Sequence, residues 1–219
     1  MDPERELIDE QIAYYRARAA EYDATSTPEG SELEVHAERV RDALRAFAPH
    51  GRVLELAAGT GQWTGLLAEY ADELLVTDAS SEMLDLNRST VGERPNVRYH
   101  VADALSLPAA RTYDVVFFGF FLSHVPKASF DGFWAGLTGL LEPGGRIFFV
   151  DEGVHGLWEE SWVDGKAGIV ERPLMDGSVH RAIKVLWRPE DLELRLGELG
   201  WDASVNAEGS FYWGSAIRR

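Results

Sequence analysis

The chain has 219 residues, and none of them is cysteine. Disulfide bonds, thiolate nucleophiles and zinc sites built on cysteine are therefore excluded. Long hydrophobic runs are missing as well, since no stretch approaches the roughly 20 apolar residues that a membrane-spanning helix needs. The opening segment MDPERELIDE is acidic and has no apolar core of the kind found in secretion signals. We therefore expect a cytoplasmic protein without a membrane partner.

Positive charge is also scarce in this chain. Lysine and arginine number 21 against 37 acidic residues, which gives a formal net charge of -16. Such a charge repels phosphate backbones and anionic bilayers, and the basic residues are scattered, which argues against a nucleic-acid partner. The content of 45% apolar and 11% aromatic residues predicts a single folded domain over 1–219 with a full core.

Short apolar runs alternate with helical patterns between residues 49 and 153. This alternation is typical of parallel strands joined by crossover helices, so we expect an α/β core there. The expected strands are 52–56, 73–77, 97–101, 113–119 and 146–151, and the expected helices are 63–71, 82–89 and 127–141, the last one ending at the turn Glu142-Pro143-Gly144-Gly145.

The regions on either side of this core follow other patterns. Helical periodicity at 5–22 and 31–48 predicts an N-terminal helical cap over 1–48. Segment 154–187 contains Asp176-Gly177, a strong signal for a β-hairpin, so an insertion that could act as a lid is expected there. The C-terminal part, 188–219, is expected to contain a helix at 189–199 and strands near 202–206 and 211–217.

The segment VLELAAGTGQWT places two glycines, Gly59 and Gly61, between the first strand and the following helix. Glycine lets a ligand approach the backbone and tolerates the positive φ of a tight turn. A dinucleotide-binding dehydrogenase has a third glycine in this pattern to seat a pyrophosphate, but Thr64 stands there. The turn therefore indicates a cofactor without a pyrophosphate, and a nicotinamide dehydrogenase is the weaker alternative.

Two aspartates follow neighbouring strands of the expected sheet. Asp78 ends the second strand, where a carboxylate can accept hydrogen bonds from ribose hydroxyls. Asp103 follows the third strand, at the edge where open α/β sheets bind their ligands, so it could bind an adenine amino group. Together the two carboxylates indicate an adenosine cofactor.

These motifs, ExxxGxG and the two aspartates, resemble the class I S-adenosylmethionine-dependent methyltransferases of the small-molecule type over most of residues 50–219. The runs TDASSEML, YDVVFFGFFLSHVP and LEPGGRIFFVDE add to the resemblance. It implies an α/β fold with a Rossmann-like, doubly wound, seven-stranded sheet in the order 3-2-1-4-5-7-6, the last strand being antiparallel. It also implies an N-terminal helical cap, a β-hairpin insertion after strand 5, S-adenosyl-L-methionine as the cofactor and S-adenosyl-L-homocysteine as its product.

The resemblance further implies which residues hold the cofactor. Gly59 and Gly61 would lie along its methionine part, while Met83 would pack on the adenine. In the N-terminal motif YYRARAAEYD, Arg18 and a tyrosine hydroxyl would hold the methionine carboxylate, unless this helix is an ordinary amphipathic one. The implied cofactor-binding residues are Tyr14, Arg18, Tyr22, Glu55, Ala57, Gly59, Gly61, Thr64, Asp78, Ala79, Met83, Asp103, Ala104 and Phe120.

Candidates for catalysis and acceptor binding follow the fourth and fifth strands. Histidine titrates near neutral pH, so His124 could act as a general base, or it could hydrogen-bond only the loop backbone. Asp151 could bind or deprotonate the acceptor, or simply face solvent. No compact ligand motif predicts a metal. The side chains expected to line the acceptor pocket are Phe121, His155, Trp158 and Trp187.

The chain is therefore predicted to transfer a methyl group from S-adenosylmethionine to an oxygen or nitrogen of a small-molecule metabolite. Besides the dehydrogenase, two alternatives stay open: a peptide or carboxylate methyltransferase, and a cofactor-binding protein of the same fold without transferase activity.

Phe117 and Phe118 lie within an apolar run and are expected to be core residues.

Overall fold

A seven-stranded sheet forms the centre of the fold. The computed structural model describes residues 3–22, 32–108, 110–154 and 160–219. The described strands are β1 Arg52–Leu56, β2 Glu73–Asp78, β3 Val97–Val101, β4 Tyr113–Gly119, β5 Leu141–Glu152, β6 Ser161–Asp164, β7 Ile169–Pro173, β8 Val179–Ile183, β9 Trp201–Glu208 and β10 Phe211–Arg218. The central sheet has the order β3-β2-β1-β4-β5-β10-β9, and β10 is antiparallel to both of its neighbours. The predicted order, with its antiparallel last strand, is confirmed.

Helices cover both faces of this sheet. The described helices are α1 Pro3–Arg18, α2 Glu32–Phe47, α3 Thr64–Tyr70, α4 Ser81–Val91, α5 Phe130–Leu140 and α6 Pro189–Glu198. Residues of α2, α3 and α4 form the core on one face, and residues of α5 and α6 form it on the other. In the described ranges, no helix combines the length and apolar character that crossing a bilayer requires.

Strand β4 illustrates why the central strands are apolar throughout. Successive side chains of a strand point to opposite faces, and both faces of this sheet are covered. Phe117 packs against Trp63 on one face, whereas Phe118 packs against Phe133 and Trp134 on the other. Phe117 and Phe118 are at most 1% exposed, so their interpretation as core residues is confirmed.

Helix α1 lies across the carboxyl ends of the central strands and packs against β8 of the insertion. It ends at Arg18 and continues as a 3₁₀ turn over Ala19–Glu21, whereas the sequence predicts one helix over 5–22. Tyr14 is buried in a small apolar cluster with Val170 and Ala182 of the insertion. Residues 23–31, which join α1 to α2, lie outside the described residues.

The insertion after β5 is a three-stranded antiparallel sheet in the order β6-β7-β8. The predicted hairpin is present, because β7 and β8 are joined at Asp176-Gly177, where Gly177 has a φ of 85°. The N–H of Ser178 donates to the Asp176 carboxylate over 2.8 Å and closes the turn. The third strand, β6, was not expected. All four of its residues are exposed, so it has no buried face that a pattern of alternating apolar and polar residues would indicate.

The turn expected at Glu142-Pro143-Gly144-Gly145 is a bulge within β5. Tyr113 of β4 lies opposite Leu141, but Val115 already lies opposite Arg146, so the register shifts between these pairs. Gly144 has a φ of 80°, which glycine adopts without the strain that other residues would incur.

Candidate active site

A cavity opens at the carboxyl ends of β1, β2, β3 and β4, beneath helix α1. This is the edge at which open α/β sheets bind their ligands. The predicted site residues in its wall are Tyr22, Ala57, Gly59, Asp78, Ala79, Met83, Asp103, Ala104, Phe120, Phe121 and His124. Residues that the sequence analysis did not single out also line it, namely Ile8, Gln11, Ile12, Tyr15, Ala58, Thr60, Gln62, Trp63, Ser80, Ala102, Leu105 and Gly119.

The two glycines of the turn after β1 have different roles in the fold. Gly59 has a φ of 55°, and a Cβ atom on it would meet no atom within 4 Å, so its open side faces the cavity. Gly61 has a φ of 101°, and a Cβ atom there would lie 3.1 Å from Asn87 and Val91 of α4. Gly59 therefore leaves room for a ligand, whereas Gly61 allows α4 to pack closely.

Backbone strain is concentrated at two positions in the cavity wall. Ala57 at the end of β1 has a φ of 49°, and Phe120 after β4 has a φ of 53°. Non-glycine residues in this region cost of order 1–3 kcal/mol and persist where the surroundings hold them, often at binding sites. The N–H of Phe120 is held by the carbonyl of Val150, 2.7 Å away.

Asp78 is fixed by the backbone on either side of it. One carboxylate oxygen accepts from the N–H of Gly59 over 2.9 Å, and the other accepts from the N–H of Ser80, also over 2.9 Å. Burial raises the pKa of Asp78, and these N–H donors oppose the rise. A carboxylate has about four lone-pair directions, so Asp78 can still accept hydrogen bonds from hydroxyl groups of a ligand in the cavity.

Asp103 already has a partner on helix α1. One of its oxygens accepts from the guanidinium of Arg5 over 3.0 Å, and the other accepts from the N–H of Leu105 over 2.9 Å. The wall near these residues is apolar, since Ile8, Ile12 and Met83 line it. This combination of a carboxylate and apolar side chains suits a heteroaromatic base with an exocyclic amine.

Several predicted cofactor residues lie outside the wall. Arg18 stacks its guanidinium over the rings of Tyr14 and Tyr22, at 5.9 and 4.7 Å from the ring centroids. Thr64 is fully buried and accepts a hydrogen bond of 2.8 Å from the side chain of Asn87. Gly61 packs under α4, as described above. Of the predicted stripe Tyr14, Arg18 and Tyr22, only Tyr22 is among the wall residues.

Glu55 is buried behind the glycine turn. It is 1% exposed, and among the described residues neither carboxylate oxygen has a partner in hydrogen-bond geometry. Burial raises the pKa of Glu55 to about 8; the neighbouring Asp78 carboxylate adds to the rise, and the nearby Thr64 hydroxyl opposes it. The side chain is therefore largely protonated at neutral pH.

His124 ends the 3₁₀ turn Leu122–His124 and makes hydrogen bonds through both ring nitrogens. Its Nδ1 lies 2.7 Å from the carbonyl oxygen of Ile183 in β8. A carbonyl can only accept, so Nδ1 carries the proton and Nε2 is the acceptor. The Tyr15 hydroxyl, 2.8 Å from Nε2, must then donate to it. The imidazole thus joins helix α1, the loop after β4 and the insertion.

The surroundings of His124 favour its neutral form. Burial lowers the pKa of His124 well below its ordinary value, and the positive charges of Lys184, Arg172 and Arg18 lower it further. Burial also holds the pKa of Tyr15 well above its ordinary value. At neutral pH the pair consists of an imidazole and a phenol, both uncharged.

Asp151 is fully buried outside the cavity and holds the loop that carries His124. One of its oxygens accepts from the N–H of Ser123 over 2.8 Å, and the other accepts from the N–H of Glu152 over 2.7 Å. Burial raises the pKa of Asp151. Glu152 forms a buried ion pair with Lys184. Asp151 therefore fastens the end of β5 to the turn before His124.

The remaining predicted acceptor residues are placed as follows. Phe121 lines the cavity, whereas Trp187 packs on Phe130, with ring centroids 4.6 Å apart, and does not line it. His155 and Trp158 lie outside the described residues. The part of the chain that the structure describes contains no group of three or more side chains suited to hold a metal ion.

Tyr15 was the most informative residue to be missed. It belongs to the apolar stripe of α1, together with Ile8 and Ile12, and this periodicity marks the buried face of the helix. The adjacent Tyr14 points instead into the cluster with the insertion. Trp63 was also missed. A bulky indole directly after a turn of small residues is an unusual feature, and it was the available signal for a wall residue at this position.

Comparison with known proteins gives a consistent result. A family model described as "Methyltransferase domain" matches residues 53–145. The solved structure of DhpI in complex with S-adenosylhomocysteine superposes with a TM-score of 0.83 at 36% identity, over 96% of this chain and 96% of that chain. The chain belongs to the class I S-adenosylmethionine-dependent methyltransferases. Another structure of DhpI is a complex with S-adenosylmethionine and HEP.

Curated relatives of this methyltransferase match over shorter stretches. A protein-L-isoaspartate O-methyltransferase from Aromatoleum aromaticum is 30% identical over 66% of this chain and 64% of its own length. Phosphoethanolamine N-methyltransferase 1 from Arabidopsis thaliana is 32% identical over 47% of this chain and 22% of its own length. The methyltransferase thus spans less than two thirds of these relatives. Their names refer to different acceptors.

S-adenosylmethionine is the methyl donor of this enzyme, and the cavity fits it. The open side of Gly59 admits a ligand against the backbone, and the Asp78 carboxylate lies in the same wall. We predict that Asp78 holds the ribose and that Asp103, Ala104 and Met83 surround the adenine. The predicted nicotinamide alternative is wrong, because the family, the fold and the cofactor are those of a methyltransferase.

Proposed function

We propose that the enzyme methylates an oxygen or nitrogen of a small molecule, and that the preferred acceptor carries a negative charge. The cavity is covered by α1 and the 3₁₀ turn that follows it, and Tyr15 of the helix and Tyr22 after the turn lie in its wall. A covered cavity of this kind favours a small acceptor over a polymer. The observation that carries the proposal is the environment of His124 at the end of β4.

When bound, S-adenosylmethionine supplies a methyl group on a positively charged sulfur, which the acceptor atom displaces in line. The protein's task is to align the acceptor and exclude water. Phe121 and Tyr15 line the cavity beside His124 and would provide an apolar, enclosed surface there. His124 keeps Tyr15 in place through the 2.8 Å bond between Nε2 and the phenol.

A neutral acceptor would have to lose a proton, and the surroundings of His124 oppose proton uptake. Its Nε2 already accepts a hydrogen bond from Tyr15. The positive charges of Lys184, Arg172 and Arg18 also disfavour a positive charge on the imidazole. An anionic oxygen needs no base, and the same cations attract it, although Lys184 and Arg172 are each paired with a carboxylate. In addition, the Nε of Arg172 is buried without a hydrogen-bond partner among the described residues. His124 would then be a positioning residue, and general base catalysis is the competing prediction.

A methylation assay with four acceptor groups tests the proposal. Labelled S-adenosylmethionine is incubated with small carboxylic and organophosphorus acids, neutral phenols and alcohols, primary amines, and isoaspartyl peptides. We expect label in the small acids, and mass spectrometry identifies the methylated atom. Label confined to phenols or amines would refute the charge argument. Label confined to the peptides would instead support the peptide or carboxylate methyltransferase.

We also propose that the cap, 1–48, and the insertion, 154–187, close together over the core, 49–153. Gln11 of α1 supports this view: its amide N–H₂ donates to the carbonyl of His124 over 3.2 Å, and its amide oxygen accepts from the N–H of Ile183 over 2.9 Å. Both regions therefore meet at the same loop. A cytoplasmic location also remains part of the proposal. The net charge of -16 opposes polyanions and therefore argues against a nucleic-acid partner.

A further inference from the structure

The indole of Trp63 presents a buried donor without a partner at the cavity. Trp63 directly precedes α3, is 3% exposed and lines the cavity. Among the described residues its Nε1–H has no hydrogen-bond partner. A Cβ atom on Gly119, another wall residue, would lie 2.8 Å from this nitrogen. The indole nitrogen therefore lies against the end of β4, at the wall of the cavity.

A buried N–H without a partner in the chain can be satisfied by a ligand where its residue lines a cavity. Trp187 and Trp134 also have unpartnered indole nitrogens, but neither lines the cavity. Trp134 lies in the core against Phe118 and Trp201. Buried polar groups in folded proteins nearly always have partners, and the indole N–H can only donate. Trp63 is thus placed to meet an acceptor atom of a molecule in the cavity.

The order of the strands identifies which part of the cofactor lies there. With the ribose at Asp78 after β2 and the adenine at Asp103 after β3, as predicted, the methionine part extends towards β1 and β4. Trp63 and Gly119 are at that end of the cavity. In this part of the cofactor the ammonium has no lone pair, and the one lone pair of the sulfonium belongs to a positively charged sulfur, which is a very poor hydrogen-bond acceptor. The carboxylate is the remaining acceptor.

We propose that the Nε1–H of Trp63 donates a hydrogen bond to the methionine carboxylate of S-adenosylmethionine. The inference rests on the predicted placement of the adenosine and not on the acceptor class. It also assigns a new residue to a role that the family resemblance implied for Arg18, whose guanidinium stacks on Tyr14 and Tyr22 and does not line the cavity.

Titration calorimetry with two ligands tests this bond. S-adenosylhomocysteine has the carboxylate, whereas 5′-methylthioadenosine keeps the adenosine and the sulfur but lacks the amino-acid part. We expect Trp63→Phe to weaken S-adenosylhomocysteine binding by about 10-fold or more, as for a hydrogen bond to a charged group, and to leave methylthioadenosine within about 2-fold. Trp134→Phe is the matched control, because it removes a buried, unpartnered indole N–H away from the cavity, and neither affinity should change.

Two calorimetric results would overturn the proposal. An equal loss for both ligands would show that Trp63 contributes packing alone, and unchanged binding of S-adenosylhomocysteine would show that the N–H makes no contact. If Trp63→Phe does not fold, indole ¹⁵N–¹H spectra of the unmodified chain replace it. The Trp63 signal, identified by its proximity to Gly119, must move downfield with S-adenosylhomocysteine and not with methylthioadenosine. These experiments need no methyl acceptor, so they are independent of the acceptor assay.

Discussion

Replacing Glu55 by glutamine should make the fold less sensitive to rising pH. Burial raises the pKa of Glu55 from 4.5 to about 8. Between these two values the folded chain retains a proton that the unfolded chain has lost, so the stability present at low pH is lost as the pH rises through this window. From pH 5 to pH 7 the loss amounts to about 2 to 3 kcal/mol, because retaining this proton costs about 1.4 kcal/mol for each tenfold fall in proton concentration. Glutamine has nearly the same shape and does not titrate.

Urea unfolding of both proteins across this pH range, followed by tryptophan fluorescence, measures the effect. Other buried groups, such as Asp151 and His124, titrate in both proteins and cancel in the difference. The free energy of unfolding of Glu55→Gln minus that of the unmodified chain should therefore grow by about 2 to 3 kcal/mol from pH 5 to pH 7. Glu93→Gln, the same change at an exposed position, is the control and should give a flat difference. A flat difference for Glu55→Gln would mean that Glu55 is ionised in the folded chain.

Two further predictions concern the cap and the glycine turn. Tyr15→Phe leaves the Nε2 of His124 buried without its donor, and a double-mutant cycle with His124→Ala should give a coupling energy of about 1 kcal/mol in unfolding experiments; strictly additive losses would contradict the 2.8 Å bond. Gly61→Ala should lower the melting temperature more than Gly59→Ala, whereas Gly59→Ala should weaken S-adenosylhomocysteine binding more. The reverse ranking would contradict the assignment of packing to Gly61 and ligand contact to Gly59.

The fold was predictable because the signal for each central strand lies within a short stretch of the sequence. Each central strand is a short apolar run between turn residues, and burial on both faces makes such runs conspicuous. The cavity edge follows from the same pattern, since Asp78 ends a strand and Gly59 and Asp103 follow shortly after strands. The exception, β6, is an exposed edge strand without a periodic pattern, so its pairing with β7 could not be seen in the sequence.

The phase of helix α1 could not be predicted with the same success. Consecutive residues of a helix point about 100° apart, so Tyr14 and Tyr15 face different neighbours. Tyr14 packs against the insertion, and Tyr15 reaches His124. The choice between them depends on where β8 lies, which is a tertiary contact between residues more than 160 positions apart, such as Gln11 and Ile183.

The net charge of -16 and the positive surroundings of His124 act on different molecules because they act over different distances. Charges on the surface are screened within about 8–10 Å at physiological salt, so the excess of acidic residues mainly affects what approaches from outside, above all a polyanion. Inside a covered cavity, screening is weaker, and the nearby groups dominate. Lys184 and Arg172 are both largely buried in ion pairs with Glu152 and Glu160, and their positive charges still lower the pKa of His124. A small anion that enters beneath α1 would therefore experience these cations, whereas a nucleic acid would meet the acidic exterior. The proposed acceptor and the predicted absence of a nucleic-acid partner thus follow from the same distribution of charge.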